Sequence, residues 1–356
     1  MSDPSSVRLG IVGLGNIARI HCEALDASGL EETLVAGVDV DPDARAAFAE
    51  TYDVTVYEDH EEILDEVDAV LVTTPNRFHE EYVVDALEAG LDVLVEKPLA
   101  HTLESATRIA ETAHDAEGFC MVGFHNRFAK PVEVLDEYRE QGELGAVTHV
   151  EADYIRRRGI PARGSWFTRK SVSGGGSLID IGVHALDLAL YLAGYPEVVE
   201  VSGVTRANFG TDDGYSYVQM WGEDQGASDF DVDDSVSALI RCADGTTISL
   251  EVAWASNRPS SQQYYVRGDE AGAGLDLASG ELTLYETSDR GGNHHRTTDV
   301  ETQASEAHVD ETVRFVEAVA AGEAPERNTV DEALAVQKVI DGIYRSSEAG
   351  EAVRIE

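Results

Sequence analysis

The fold turns on residues 7–18, Val7-Arg8-Leu9-Gly10-Ile11-Val12-Gly13-Leu14-Gly15-Asn16-Ile17-Ala18. Val7 to Val12 has the short apolar character of a buried strand, and a helical pattern follows through Leu25. Between them stands Gly13-x-Gly15-x-x-Ala18, the spacing of a dinucleotide-binding turn. The first glycine makes the tight turn and the second lets a pyrophosphate approach the backbone. The helix that follows offers unpaired N–H groups and the positive end of its dipole. Gly13, Gly15, Asn16 and Ile17 are therefore expected to hold a dinucleotide. Alone, such a pattern is only a turn; the strand before it and the helix after it give it meaning.

Outward from this point the pattern repeats. Strands are expected at Leu34–Asp39, Asp68–Thr73, Val93–Val95 and Phe119–Gly123. Helices are expected from Pro42 to Tyr52, His79 to Ala89 and Leu103 to Ala116. This alternation implies right-handed βαβ units and a parallel sheet, a doubly wound Rossmann domain over residues 1–124. After Gly123 the rhythm changes. Val147–Arg156, Val198–Asn208, Asp233–Arg241, Thr246–Ala255, Gln262–Arg267 and Glu281–Glu286 read as strands, with a hairpin turn at Asp244-Gly245. Residues 125–356 are thus expected to form a second α/β domain on a mainly antiparallel open sheet. Residues 210–234 read as a solvated acidic loop. Helices near Val309–Ala321 and Val330–Ser347 close the chain and are expected to pack back toward the Rossmann domain.

The 356 residues carry a net charge of −42, spread along the chain rather than gathered in a tail. Such self-repulsion weakens a compact state unless salt screens it, so a halophile-type, salt-requiring surface is expected. No basic patch offsets the acids, which disfavours nucleic acid. No run of about 18 apolar residues marks a membrane span. The polar start, Met1 to Arg8, lacks a signal-peptide pattern. Cys22, Cys120 and Cys242 have no metal-ligand spacing and read as reduced thiols of a cytoplasmic protein.

Three further stretches carry chemistry. Asp39 ends the second strand, where an acid binds an adenosine ribose and repels a 2′-phosphate, which favours NAD and leaves NADP possible. Its other reading is a helix cap. Thr73-Thr74-Pro75-Asn76 and His79 lie past the Asp68 strand, on the same crevice edge, and could contact a nicotinamide ribose. Each is also an ordinary turn or cap residue. In Val93-Leu94-Val95-Glu96-Lys97-Pro98 an apolar strand ends on a charged pair, and Lys97 (one of four lysines) points into the crevice.

Gly174-Gly175-Gly176-Ser177 opens a helix on which Asp180, His184 and Asp187 stand at i, i+4 and i+7, grouped on one face. The three glycines suggest that something approaches the backbone closely. The same spacing could hold a divalent metal, but dinucleotide chemistry supplies its own electrophile, so no metal is expected.

In this order the motifs resemble the Gfo/Idh/MocA family of sugar and cyclitol dehydrogenases. The resemblance rests on Gly13-x-Gly15-x-x-Ala18, Thr74-Pro75-Asn76 with His79, Glu96-Lys97-Pro98, Asn126-Arg127-Phe128, Gly174 to Asp187 and the closing helix. It implies catalytic roles for Lys97, Asp180 and His184, and cofactor or substrate contacts at Glu96, Asn126 and Arg127. It also implies a polyol substrate and an open sheet packed in a homodimer or homotetramer.

Oxidising a carbinol requires removal of a hydride and a proton. His184 suits the proton acceptor, with Asp180 orienting it and Lys97 stabilising the alkoxide; the alternative makes Lys97 the base. Arg163 and Trp166 are candidates to bind a sugar. Arg156, Arg157 and Arg158 share that candidacy, although most of these arginines are expected to pair with the abundant acids. Two other functions fit the motifs: a glycosidase using NAD for transient oxidation, and a dinucleotide-sensing regulator without catalysis.

Overall fold

The computed structural model describes residues 3–355, apart from Trp221 and Ser228. They divide into two compact units, 1–125 with 306–337, and 126–305 with 338–356. The first unit therefore takes back a C-terminal segment that a division after residue 124 leaves with the second.

The first unit runs β1 (Leu9–Val12), α1 (Asn16–Ala27), β2 (Leu34–Val38), α2 (Pro42–Tyr52), β3 (Thr55–Tyr57), β4 (Ala69–Val72), α3 (His79–Glu88), β5 (Asp92–Glu96), α4 (Leu103–Asp115) and β6 (Cys120–Gly123). The six strands are parallel in the order β3-β2-β1-β4-β5-β6, so the winding reverses between β1 and β4. Ligands of open α/β sheets bind outside the carboxyl ends of the strands at such a reversal. Every residue of β1, β4 and β6 is buried, as expected for strands covered on both faces. Local chemistry sets the helix starts. The Asp41 carboxylate accepts from Asp43 N–H at 2.9 Å with Pro42 behind it, and the Thr102 hydroxyl accepts from Ser105 N–H at 3.2 Å. Only β3 was not expected; its three residues are too few to show a period.

The second unit contains α5 (Lys130–Glu140), β7 (Val147–Ile155), α6 (Lys170–Ser173), a π-helical turn (Leu178–Gly182), α7 (Val183–Leu192), β8 (Val198–Arg206), β9 (Ser235–Cys242), β10 (Thr247–Ala253), β11 (Ser261–Gly268), β12 (Ala271–Asp276), β13 (Glu281–Ser288) and β14 (His294–Val300). Then come α8 (Ala307–Ala321), α9 (Val330–Ala349) and β15 (Val353–Arg354). The nine-stranded sheet has the order β14-β13-β12-β11-β7-β10-β9-β8-β15, and all its pairs are antiparallel except β7 with β10. Residues 170–192 form one helical stretch long and apolar enough to span a membrane by composition, yet 89% of the window is buried inside the structure. It is the core helix against which β7 and β10 pack. The open face of the sheet exposes Val204, Leu239, Tyr265 and Tyr285.

The C-terminal segment completes the first unit. Helix α8 packs on α1. The Asn328 carbonyl accepts from Val122 N–H at 2.8 Å, the Asn328 amide donates to Val122 C=O at 3.0 Å, and Thr329 bridges Met121. These bonds close the outer edge of β6.

Candidate active site

In the first unit the crevice edge is built from the ends of β1, β4 and β5. Gly13 has φ +94°, and a Cβ there would overlap Thr74. Its N–H donates to Val38 C=O at 2.8 Å, and the Thr73 hydroxyl donates to Gly13 C=O at 2.5 Å. Gly15 caps α1 without a side-chain hydrogen bond, so the N–H groups around Asn16 and Ile17 face outward uncapped. Two observations fit this edge to a dinucleotide. Among the described residues, a Cβ on Gly15 would meet nothing within 4 Å, and the Thr74 hydroxyl is buried without a hydrogen-bond partner. The Asp39 carboxylate accepts from Leu14 N–H at 2.8 Å and from Asp41 N–H at 2.9 Å, so it braces the glycine turn itself. Arg45, one turn into α2, donates to Asp39 C=O at 2.6 Å. An arginine thus lies beside Asp39, although none follows it immediately in sequence.

His79 is fully buried, and both ring nitrogens lie 2.9 Å from carbonyl oxygens, those of Thr74 and Pro98. Burial holds its pKa below the ordinary imidazole value. His79 thus ties the Thr74 turn to the cis Lys97–Pro98 peptide. Pro75 and the buried Asn76 complete that turn.

Glu96 is likewise interior. Its Oε1 lies 3.1 Å from His21 Nε2, and its Oε2 accepts from Lys97 N–H at 3.2 Å. Burial alone would raise this carboxyl, but the His21 hydrogen bond and charge, then the charges of Lys97 and His125, bring it down to about 2. Glu96 therefore anchors the backbone of Lys97. His21, on α1, was not singled out in the sequence; a lone histidine on a helix carries no signal of a partner 75 residues away. Beneath β6, His125 and His308 stack with centroids 3.8 Å apart, and Glu311 accepts from the Asn328 amide at 3.0 Å. Ligand atoms of these three residues lie within 4.8 Å of one another.

In the second unit, Asp180 sits on the π-helical turn and His184 in the first turn of α7. A π turn inside a helix is a frequent mark of a functional segment. Asp180 Oδ2 accepts from Trp254 Nε1–H at 2.8 Å. What approaches the three glycines is the chain itself. A Cβ on Gly175 would overlap the Tyr344 hydroxyl, and one on Gly176 would overlap the Asp233 carbonyl. The Asp233 carboxylate accepts from Gly176 N–H (2.9 Å), Ser177 Oγ–H (2.7 Å), Leu178 N–H (2.9 Å) and Tyr344 O–H (2.7 Å). It caps the turn that carries Asp180.

Asp187 does not share a polar face with Asp180 and His184. It is 1% exposed and binds Arg127, through Nε at 3.1 Å and Nη2 at 2.5 Å. Arg127 is fully buried, 4.9 and 5.1 Å from the ring centres of Tyr191 and Tyr195. Arg163 binds Asp224 through Nε at 2.9 Å and Nη2 at 3.0 Å, and Asp212 C=O at 2.6 Å, so its guanidinium anchors the 210–234 loop. Trp166 stacks on Phe167, and Asn126 is buried at the start of the unit.

A six-stranded parallel sheet with a glycine turn at its reversal and a lysine at the end of β5 defines a dinucleotide-dependent oxidoreductase. Residues 7–124 match the family model of the oxidoreductase family, NAD-binding Rossmann fold, and residues 132–273 match the GFO/IDH/MocA C-terminal domain. A D-glucoside 3-dehydrogenase of Escherichia coli K12 is 32% identical over 99% of this chain and 98% of its own. A D-xylose 1-dehydrogenase (NADP(+)) of Haloferax volcanii is 30% identical over 98% of each. The structure of levoglucosan dehydrogenase with NADH and levoglucosan matches with a TM-score of 0.85 at 24% identity, covering 98% of this chain and 99% of that one. The chain belongs to the Gfo/Idh/MocA oxidoreductase family.

Proposed function

We propose that this enzyme oxidises one hydroxyl of a sugar, cyclitol or sugar derivative, with NAD as the acceptor. The observation that carries the reading is Lys97, held by Glu96 at the carboxyl end of β5, just beyond the glycine-turn crevice. The nicotinamide, when bound, takes the hydride. Lys97 hydrogen-bonds the reacting hydroxyl and stabilises the developing alkoxide. His184 accepts the hydroxyl proton, and Asp180, fixed by Trp254, orients the imidazole. Asp39 favours NAD, since its carboxylate repels a 2′-phosphate. Arg45 beside it keeps NADP open, and the Haloferax volcanii relative carries NADP(+) in its name. Three buried free cysteines agree with a reducing cytoplasm, and the exposed apolar sheet face with a homodimer or homotetramer.

The test is NADH absorbance in molar KCl, with NAD or NADP against aldoses, inositols and anhydrosugars. NADH formation with one sugar class is expected. His184→Ala should lower kcat by about 10²-fold or more and remove the acidic limb of its pH profile. If His184→Ala keeps both limb and rate while Lys97→Ala loses them, Lys97 is the base. Tight NAD binding with no reduction of any substrate would sink the dehydrogenase reading. Aryl-glycoside hydrolysis would then point to a glycosidase, and its absence to a sensor.

A further inference from the structure

Arg156, Arg157 and Arg158 follow β7 directly, with a bend at Arg157, and among the described residues the expectation that they pair with acids is not met. Arg156 Nη1 donates to Gly159 C=O at 3.3 Å. Arg158 donates to the carbonyls of Arg157 (2.8 Å) and Ser256 (2.5 Å) and to Asn257 Oδ1 (2.8 Å), and lies 4.4 Å from the centre of the Phe209 ring. The Arg157 side chain is exposed, and its guanidinium has no hydrogen-bond or carboxylate partner among the described residues. In a chain with 68 acids and 26 lysines and arginines, three successive arginines without a carboxylate salt bridge are not explained by surface ion pairing.

These residues line a groove of about 810 Å³. Its other walls are Gly159, Ser216 to Gln219, Asn257 and Ser260, and among the described residues no Asp or Glu lines it. The groove is thus a positive island with neutral hydrogen-bonding walls on a strongly negative molecule. Arg158 is already held planar by two carbonyls and an amide, so its orientation costs little on binding. Burial is the largest influence on Arg156 and lowers it, but the charge of Asp180 together with the charge and hydrogen bond of Tyr154 leaves the guanidinium above its ordinary value. Gly159, in the groove wall, donates its N–H to Trp254 C=O at 2.7 Å, and the Trp254 indole donates to Asp180 at 2.8 Å, so the inner end of the groove lies near Asp180, the proposed orienting partner of His184.

We infer that this groove binds the anionic substituent, a phosphate ester or a carboxylate, of a sugar whose ring lies at Asp180 and His184. Guanidinium groups match both oxyanions in geometry and remain charged at any physiological pH. A neutral polyol would leave Arg157 without a partner. The inference rests on the dehydrogenase reading for the identity of the ring, but its anion-binding part stands apart from turnover.

The experiment compares glucose 6-phosphate, glucuronate and glucose at one fixed salt concentration, in the native chain, Arg157→Glu and the remote exposed control Arg290→Glu. Initial rates are read with NAD, and calorimetric titration of each sugar into the NAD-loaded protein gives binding without turnover. We expect kcat/KM for one anionic sugar to exceed that for glucose at least tenfold. Arg157→Glu should cut that ratio at least tenfold, while Arg290→Glu, with the same charge change, leaves it intact. Preference for the phosphate or the carboxylate assigns the source of the anion. Equal kcat/KM for glucose and both anionic sugars, or an equal effect of the two variants, overturns the inference. Binding of an anionic sugar that Arg157→Glu abolishes, without any NADH, upholds the groove and overturns the dehydrogenase reading instead.

Discussion

At the scale of single residues, the glycine run at 174–176 shows how a sequence signal is right in kind and different in object. Three glycines announce a close approach, and one occurs, but the approaching atoms belong to Asp233 and Tyr344. Gly176→Ala forces a methyl group against the Asp233 carbonyl and should destabilise the fold by about 1–3 kcal/mol, read from the urea midpoint. Asp233→Asn keeps the shape but trades two accepting oxygens for one, facing four donors. It should lower kcat more than it raises KM, because the turn it caps carries Asp180. A variant with normal kcat and reduced stability alone would make Asp233 a purely structural cap.

At the scale of elements, buried imidazoles link α3, α8 and the end of β6 to pH. Burial lowers His79, His125 and His308, with His125 down to about 3. The unfolded chain protonates these rings below about pH 6.5 and the folded chain resists, so stability should fall as pH drops below that value. The slope is up to ~1.4 kcal/mol per pH unit for each ring that stays neutral. Glu96 works at lower pH: its depressed carboxyl contributes stability above its ordinary 4.5, which is lost as pH falls toward about 2. Denaturation midpoints between pH 7 and 5 check this, and His125→Gln should flatten the dependence. None of this network was legible in the sequence, because its members pair across long separations, as His21 does with Glu96. The Rossmann elements were legible because short apolar strands alternate with helices along the chain. Strands β12 and β14 were not: Ala271–Asp276 is mostly small residues, and β14 is a polar edge strand exposed along most of its length. The stretch from Asp180 to Asp187 was half legible. A uniform helical period cannot foresee a π turn, nor that Arg127 claims Asp187.

At the scale of the molecule, the charge of −42 is a global term that no single pair offsets. Many observed pairs are exposed, such as Arg8 with Asp68 and Arg345 with Asp341, and contribute little individually. Raising KCl from 0.1 M to 1 M shortens the screening length from ~10 Å to ~3 Å. The melting temperature should therefore rise with KCl over this range; a flat or falling curve would remove the halophile reading. The chain path has a separate consequence for how the protein is made. Since Asn328 and Thr329 seal the edge of β6 and α8 covers α1, a nascent chain cannot finish its nucleotide-binding half when the ribosome has passed residue 125. It must wait for some two hundred further residues, and a gene cut at the apparent domain boundary would encode a sheet with its last strand still open.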